Sequence, residues 1–354
     1  MKHIVETWDE KLYESVTWDF YFEGLNIGVL DIETTGLDPA RNKFVLGCLL
    51  DVSKAELHQV IARSRAEEAV ALGTYMRLLE DLDAVITYNG RRFDIPFLQR
   101  RRQACMGALD YLKQEENGGC RTHDEGTSFY DLDLFQVLDK HSALRKILPN
   151  LKQKTVENYM GLWETRADRI SGGESVELYD EYEATGDEAI EKKLLLHNRD
   201  DVKQLARLTR AVSKCDFHAA MFRQGFPIKT GSLLLRVENM RLEKEGLSCR
   251  GTQLRTPIDY MGFELDGWSV TSRFYKDRMA KSRGAFEIKL PLIRREGYVI
   301  VDLQAAGLLA EEFAGYPDSG SGFLVIGDPD GVRYRQTNHF IKSFIKRMAA
   351  SSRL

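Results

Sequence analysis

The sequence predicts a mixed α/β sheet with helices on both faces, followed by a smaller α+β unit. Three observations predict it. Early apolar runs sit at hairpin spacing, helical and strand-like segments then alternate to about residue 214, and the texture changes from about Gly225 onward.

The first strand is expected at residues 25–33, LNIGVLDIE, an apolar run that ends on charge. Strands follow at 43–51 and 57–62, separated by polar residues few enough for hairpins. Residues 66–82 place apolar side chains three and four apart, which describes an amphipathic helix. A short buried strand, 84–88, leads into the Asn89-Gly90 turn signal, and Pro96 suits the first turn of the next helix. Residues 115–128 read as a loop and 129–132 as a fifth strand. The rest to Lys214 reads as helical, apart from a break at Ser171-Gly172-Gly173. Beyond it, strand-like segments fill residues 258–303, and a hairpin spans 323–334 with its turn at Asp328–Gly331. A helix is expected over 337–350. The expected domains are 1–215 and 228–354.

At 354 residues, with 43% hydrophobic and 29% charged, the chain has material for two cores and none of the bias of a disordered protein. Its net charge of −4 excludes a histone-like polybasic coat, but the charge is uneven. Residues 216–354 hold 21 Lys/Arg against 16 Asp/Glu, and residues 1–215 hold 29 against 38. Five widely spaced cysteines without a C-x-x-C pair argue against a disulfide framework and fit a reducing compartment. The opening segment is too polar for a signal peptide, and no apolar stretch approaches the ~20 residues of a membrane helix. A soluble cytoplasmic protein with no membrane partner is expected; its oligomeric state is left open.

Three carboxylate signals carry chemistry. On a strand, Asp31 and Glu33 project to the same face, and Thr34-Thr35-Gly36 turns the chain away at once, leaving two like charges at a sheet rim. Asp94 follows Tyr88-Asn89-Gly90-Arg91-Arg92-Phe93 and reads equally as a helix N-cap or a site acid. His197 and Asp201, at i and i+4, share one helix face, whereas Asp200 is turned about 100° away and is expected to face solvent or pair with Arg199 or Lys203. Four carboxylates from two strands and a helix suit two Mg²⁺ or Mn²⁺ ions, and a neighbouring His suits proton transfer. No nucleotide-binding, zinc-protease or hydrolase-elbow motif competes with this reading.

Asp31–Leu37 (DIETTGL), Tyr88–Leu98 (YNGRRFDIPFL) and His197–Val202 (HNRDDV) resemble the three motifs of the DnaQ-like, or DEDD, 3′–5′ exonuclease superfamily. Their order is right, and so are their separations of about 60 and then about 110 residues. The run Phe93-Asp94-Ile95-Pro96-Phe97-Leu98 resembles the YprB-type branch. The resemblance implies a ribonuclease H-like five-stranded sheet over residues 20–212 and hydrolysis of single-stranded DNA or RNA. It implies Asp31, Glu33, Asp94 and Asp201 as metal ligands and His197 as the residue orienting the attacking water. The sequence departs from pattern there: a His stands at the spacing usual for Tyr, and Leu196 occupies the usual His spacing. The alternative is a catalytically weak nucleic-acid-binding module.

Thr34, Asn89, Arg91, Arg92 and Phe93 are the expected substrate contacts, with Arg100, Arg101 and Arg102 as further cations near the site. Asp131 is left as structural, either a helix cap or support for the site. In the second unit, Arg273, Lys276, Arg278, Lys281 and Arg283 interleave with Trp268, Phe274 and Tyr275, and Arg333, Arg335, Lys342, Lys346 and Arg347 follow. Cations among aromatics can hold a polyanion and stack its bases. For Trp268 and Phe274, sheet core is the better reading.

Overall fold

The computed structural model describes the chain except residues 9–10, 114–126, 169, 171, 245, 266–267, 277–283, 318 and 352–354. It divides into two compact units, Met1–Cys215 and Asp216–Leu354.

The first unit opens with β1 (Lys2–Thr7), α1 (Val16–Phe22), β2 (Ile27–Thr34), β3 (Phe44–Asp51) and β4 (Glu56–Ile61). Then come α2 (Glu68–Leu78), β5 (Ala84–Thr87), α3 (Asp94–Lys113), β6 (Tyr130–Asp133), α4 (Leu134–His141) and a single turn α5 (Leu144–Ile147). Helices α6 (Gln153–Tyr159), α7 (Gly172–Thr185) and α8 (Glu188–Leu208) complete it. The mixed sheet runs β1-β4-β3-β2-β5-β6, antiparallel through β2 and parallel from β2 to β6.

This sheet has six strands, one more than expected. The extra strand is β1, whose residues alternate between partial and full exposure as it pairs with β4 along one edge. A half-solvated edge needs no apolar run, so KHIVET carries little hydrophobic signal. The central strand β3 is buried along its whole length because helices cover both faces. On one face, Leu30, Ile32 and Phe44 pack with Leu72 and Tyr75 of α2 and Phe97 and Leu98 of α3. On the other, Val45, Leu46 and Ile61 pack with Tyr179 and Tyr182 of α7 and Ile190 and Leu194 of α8. On the α2 face Gly47 is obligatory, since a Cβ would lie 2.6 Å from the Tyr75 ring.

The second unit begins with α9 (Phe217–Gln224), then β7 (Pro227–Thr230), β8 (Leu233–Leu242), β9 (Gly246–Arg255), β10 (Tyr260–Leu265), β11 (Trp268–Lys276) and β12 (Gly284–Pro291). These strands form an antiparallel sheet in the order β10-β11-β12-β9-β8-β7. Strands β13 (Ile293–Arg295), β14 (Tyr298–Asp302), β15 (Phe323–Asp328) and β16 (Gly331–Val332) form a smaller sheet, and α10 (Tyr334–Ser351) closes the unit. The hairpin and last helix fall where expected, and β7–β9 were not anticipated. Phe274 is core, stacked on Phe286 at 5.5 Å. Tyr275 is 44% exposed, with the Arg273 guanidinium 5.1 Å from its ring centre. Arg333 is paired with Asp328, and Arg347 donates to the Ala306 carbonyl, so neither is a free cation. Arg278, Lys281 and Arg283 lie outside the described residues.

Candidate active site

Strand alternation sends Ile32 into the α2/α3 core and leaves Asp31 and Glu33 on the α7/α8 face. A register shift between Glu33 and Thr34 ends the regular pairing with β3 at that point. Ser175 of α7 donates to Glu33 Oε2 at 2.9 Å. Asn198 of α8 donates to Asp31 Oδ2 at 2.8 Å and reaches the Asp31 carbonyl at 3.3 Å. Asp94 opens α3, and its Oδ1 accepts the Ile32 backbone N–H at 3.2 Å. That bond ties the start of α3 to β2.

Helix α8 starts on Asp187, whose side chain accepts from Ala189 N, and it aims His197 and Asp201 at β2. His197 Nε2 lies 3.3 Å from Glu33 Oε1 and 3.6 Å from Asp201 Oδ2. Ligand-capable atoms of these three residues all lie within 4.8 Å of one another.

The acids act on one another electrostatically. The Asp31 carboxyl is held well above the usual range by burial and then by Asp201, Asp94 and Glu33. Burial pushes Glu33 up to about 7, with Asp201 adding to it and His197 and Ser175 opposing. Burial also pushes Asp94 up to about 7, against hydrogen bonds from its own N–H and that of Ile32. Oxygen donors that repel one another in a buried pocket fit hard divalent cations, which supply the charge the acids lack.

A second set of side chains, not anticipated from sequence, holds these in place. Asp168 Oδ2 lies 2.7 Å from His197 Nδ1. Burial would raise the Asp168 carboxyl, but His197, the Ile170 N–H and Lys154 outweigh it and hold it below the usual value. Arg166 is sealed from solvent and reaches Glu157 at 2.7 and 2.9 Å, Asp168 at 3.4 Å and Asp201 Oδ1 at 2.6 Å. The segment carrying Arg166 and Asp168 has no periodicity or motif that marks it. Asn198, beside His197, carried a positional signal.

Several expectations change. Asp200 does not face solvent or pair with Arg199 or Lys203; it is buried and accepts the backbone N–H groups of Ala167 and Asp168 at 2.7 and 2.8 Å. Arg101 is no loose cation, because its guanidinium grips both oxygens of buried Glu68 at 2.7 and 2.6 Å. Arg91 donates to the Asp131 carbonyl at 2.6 Å, which ties it to β6. Asp131 accepts from Thr87, and the residue that caps α4 is Asp133. Asp133 also accepts the Asn89 N–H, holding Asn89 at φ +66°. Gly90 has no room for a Cβ because it lies against Thr87. Phe93 packs on the α2/α3 core and against Phe97, and Thr34 is buried with its hydroxyl on the Gly36 carbonyl. Arg92 and Arg100 remain exposed.

The family model of the RNase H superfamily matches residues 29–213, more than half of the chain. No curated protein matches. Among solved structures, the chain is similar to the family B DNA polymerase from the hyperthermophilic archaeon Pyrobaculum calidifontis. Identity is 21% and the TM-score 0.38, over 53% of this chain and 24% of that one. It is also similar to exonuclease I, at 11% identity and a TM-score of 0.30, over 93% of this chain and 72% of that one.

Proposed function

The chain belongs to the RNase H superfamily, and from that premise we propose that it is a metal-dependent nuclease that shortens single-stranded DNA or RNA from the 3′ end. The observation that carries this reading is a meeting of acids: Glu33 and Asp201 meet His197 with ligand-capable atoms within 4.8 Å of one another, and beyond burial, Asp201, Asp94 and Glu33 all raise the Asp31 carboxyl. Acids so crowded and buried are costly for a fold that has no cation to put among them.

Two Mg²⁺ or Mn²⁺ ions, held by these four residues, would supply the charge that clamps a phosphodiester and activates water. The chain's own side chains do the positioning. Asn198 fixes the Asp31 carboxylate and Ser175 fixes Glu33. Asp168 fixes the ring of His197, and Arg166 fixes Asp201. Asn89, Arg91 and Phe93 shape the turn into α3 and Thr34 the turn after β2, and exposed Arg92 offers a cation to a phosphate. In the second unit, Arg273 over Tyr275 offers a stacking platform with a charge beside it. Cys48, Cys105 and Cys249 are buried thiols, and the setting proposed is a reducing, cytoplasmic one.

A second reading, a nucleic-acid-binding module with weak or no catalysis, is favoured by one observation: Arg166 already neutralises one oxygen of Asp201. Single-stranded DNA and RNA labelled separately at the 5′ and 3′ ends, incubated with Mn²⁺ or EDTA, decide between them. Exonuclease action from the 3′ end gives a ladder from 5′-labelled strands and immediate release of label from 3′-labelled ones. Intact strands of every kind in Mn²⁺ would favour the binding module.

A further inference from the structure

His197 is buried, and its two ring nitrogens sit in different settings. Nδ1 is 2.7 Å from Asp168 Oδ2, the length of a charge-assisted hydrogen bond. With the proton on Nδ1, Nε2 is the lone-pair nitrogen. That lone pair faces Glu33 Oε1 at 3.3 Å and Asp201 Oδ2 at 3.6 Å. With the ring neutral and Glu33 and Asp201 ionised, as a bound cation would hold them, three acceptors converge there and none can donate to the others.

The separations distinguish what belongs among them. A proton on Nε2 would draw an oxygen to about 2.7–2.9 Å, as happens on the Nδ1 side. Both oxygens stand further off. Donor atoms bound to one ion at about 2.1 Å are about 3.0 Å apart when adjacent in an octahedron and about 3.4 Å apart in a tetrahedron. The observed 3.3 Å is close to the tetrahedral edge and 3.6 Å is slightly longer, so the three donors would draw in by a few tenths of an ångström around an ion. The carboxylate behind the ring is the outer partner that metal-bound histidines commonly have, and it selects the tautomer that leaves Nε2 free.

We propose that His197 is itself a metal ligand, joining Glu33 and Asp201 in a site of one imidazole nitrogen and two carboxylate oxygens. This rests on the metal-dependent reading above and changes one part of it: the imidazole binds the ion instead of orienting the attacking water. An imidazole donor shifts preference from Mg²⁺ toward Mn²⁺ and other first-row transition ions. Asp168 is then a positioning residue, acting through the His197 ring.

Mn²⁺ bound to the full chain tests this by pulsed electron paramagnetic resonance, which reads nitrogen bound to the ion without reference to activity. The expected result is a ¹⁴N modulation in wild type that disappears in His197→Gln, with Asp168→Ala lowering Mn²⁺ affinity about 10–100-fold. Calorimetry should show His197→Gln weakening Mn²⁺ more than Mg²⁺. If His197→Gln does not fold, wild type labelled with [¹⁵N]histidine gives the same information, since the modulation must change isotope; His3→Gln and His58→Gln must leave it in place. Mn²⁺ bound with no nitrogen modulation overturns the proposal and leaves the carboxylate site intact. A modulation that persists in His197→Gln also overturns it. Failure of wild type to bind Mn²⁺ at all overturns both this inference and the metal-dependent reading.

Discussion

Arg166 Nη1 lies 2.6 Å from Asp201 Oδ1, with the arginine side chain wholly enclosed and its other edge on both oxygens of Glu157. Burial works against the guanidinium charge, yet Glu157 and Asp201 raise its proton affinity above the usual value. One site acid is therefore locked on its Oδ1 side, and its Oδ2 is turned toward His197.

Breaking that lock should be costly. Arg166→Met leaves Glu157 buried without its charge partner, with Gln153 still donating to it, a loss on the order of 3–5 kcal/mol. Urea unfolding should show a lower midpoint with an unchanged slope. A midpoint equal to wild type would mean that the Glu157–Arg166–Asp201 network contributes nothing to stability.

The metal-free protein should become less stable as pH rises through neutrality. Glu33 and Asp94 sit at about 7 in the fold, against ordinary values of 4.5 and 3.8. Between those limits the folded state binds more protons than the unfolded chain, so stability falls with pH and levels off above about 7.5. The drop is on the order of a few kcal/mol. Melting in EDTA should give a lower Tm at pH 8 than at pH 6, and saturating Mn²⁺, which binds the ionised acids, should shrink or reverse that difference. A Tm in EDTA that rises with pH over this range would contradict the electrostatic account.

Arg100 and Arg101 are neighbours with opposite roles. Arg101→Ala removes the two-pronged partner of buried Glu68, leaving it Lys43 and the Phe44 N–H, and should cost on the order of 2–3 kcal/mol, whereas Arg100→Ala, on the exposed face, should stay within about 0.5 kcal/mol of wild type. Thermal melts of the two variants make the comparison directly. Equal effects would show that the Arg101–Glu68 pair is not structural.

The Arg273–Tyr275 pair should serve substrate grip and not chemistry. Tyr275→Ala removes an exposed ring and should weaken binding of single-stranded nucleic acid severalfold, at little cost to the fold. Fluorescence anisotropy with a labelled oligonucleotide measures this. Unchanged affinity would remove the second unit's exposed face from the binding surface.

Much of this was legible in the sequence for physical reasons. Asp31 and Glu33 flank an inward Ile32 on a strand, and His197 and Asp201 share a helix face, so periodicity alone put each pair on one side. The core strands were legible because burial on both faces makes β3 apolar throughout. What escaped depends on contacts between distant segments. Asp200 was expected in solvent because its angle on α8 points away from Asp201, but the loop carrying Ala167 and Asp168 covers that side and donates two N–H groups to it. Arg166 and Asp168 likewise come to His197 and Asp201 from a segment with no repeat of its own. Strand β1 is an edge with one wet face, and strands β7–β9 lie ahead of the segments whose composition announced the second sheet.

Cleavage of end-labelled single-stranded DNA and RNA by wild type and Asp31→Ala, each with Mn²⁺ and with EDTA, tests the central claim most directly. The carboxylate site predicts shortening by wild type in Mn²⁺ alone and a loss of at least about a hundredfold in Asp31→Ala, whose fold should survive because a buried, repelled charge is removed. Cleavage that persists in folded Asp31→Ala, or that continues in EDTA, would contradict it.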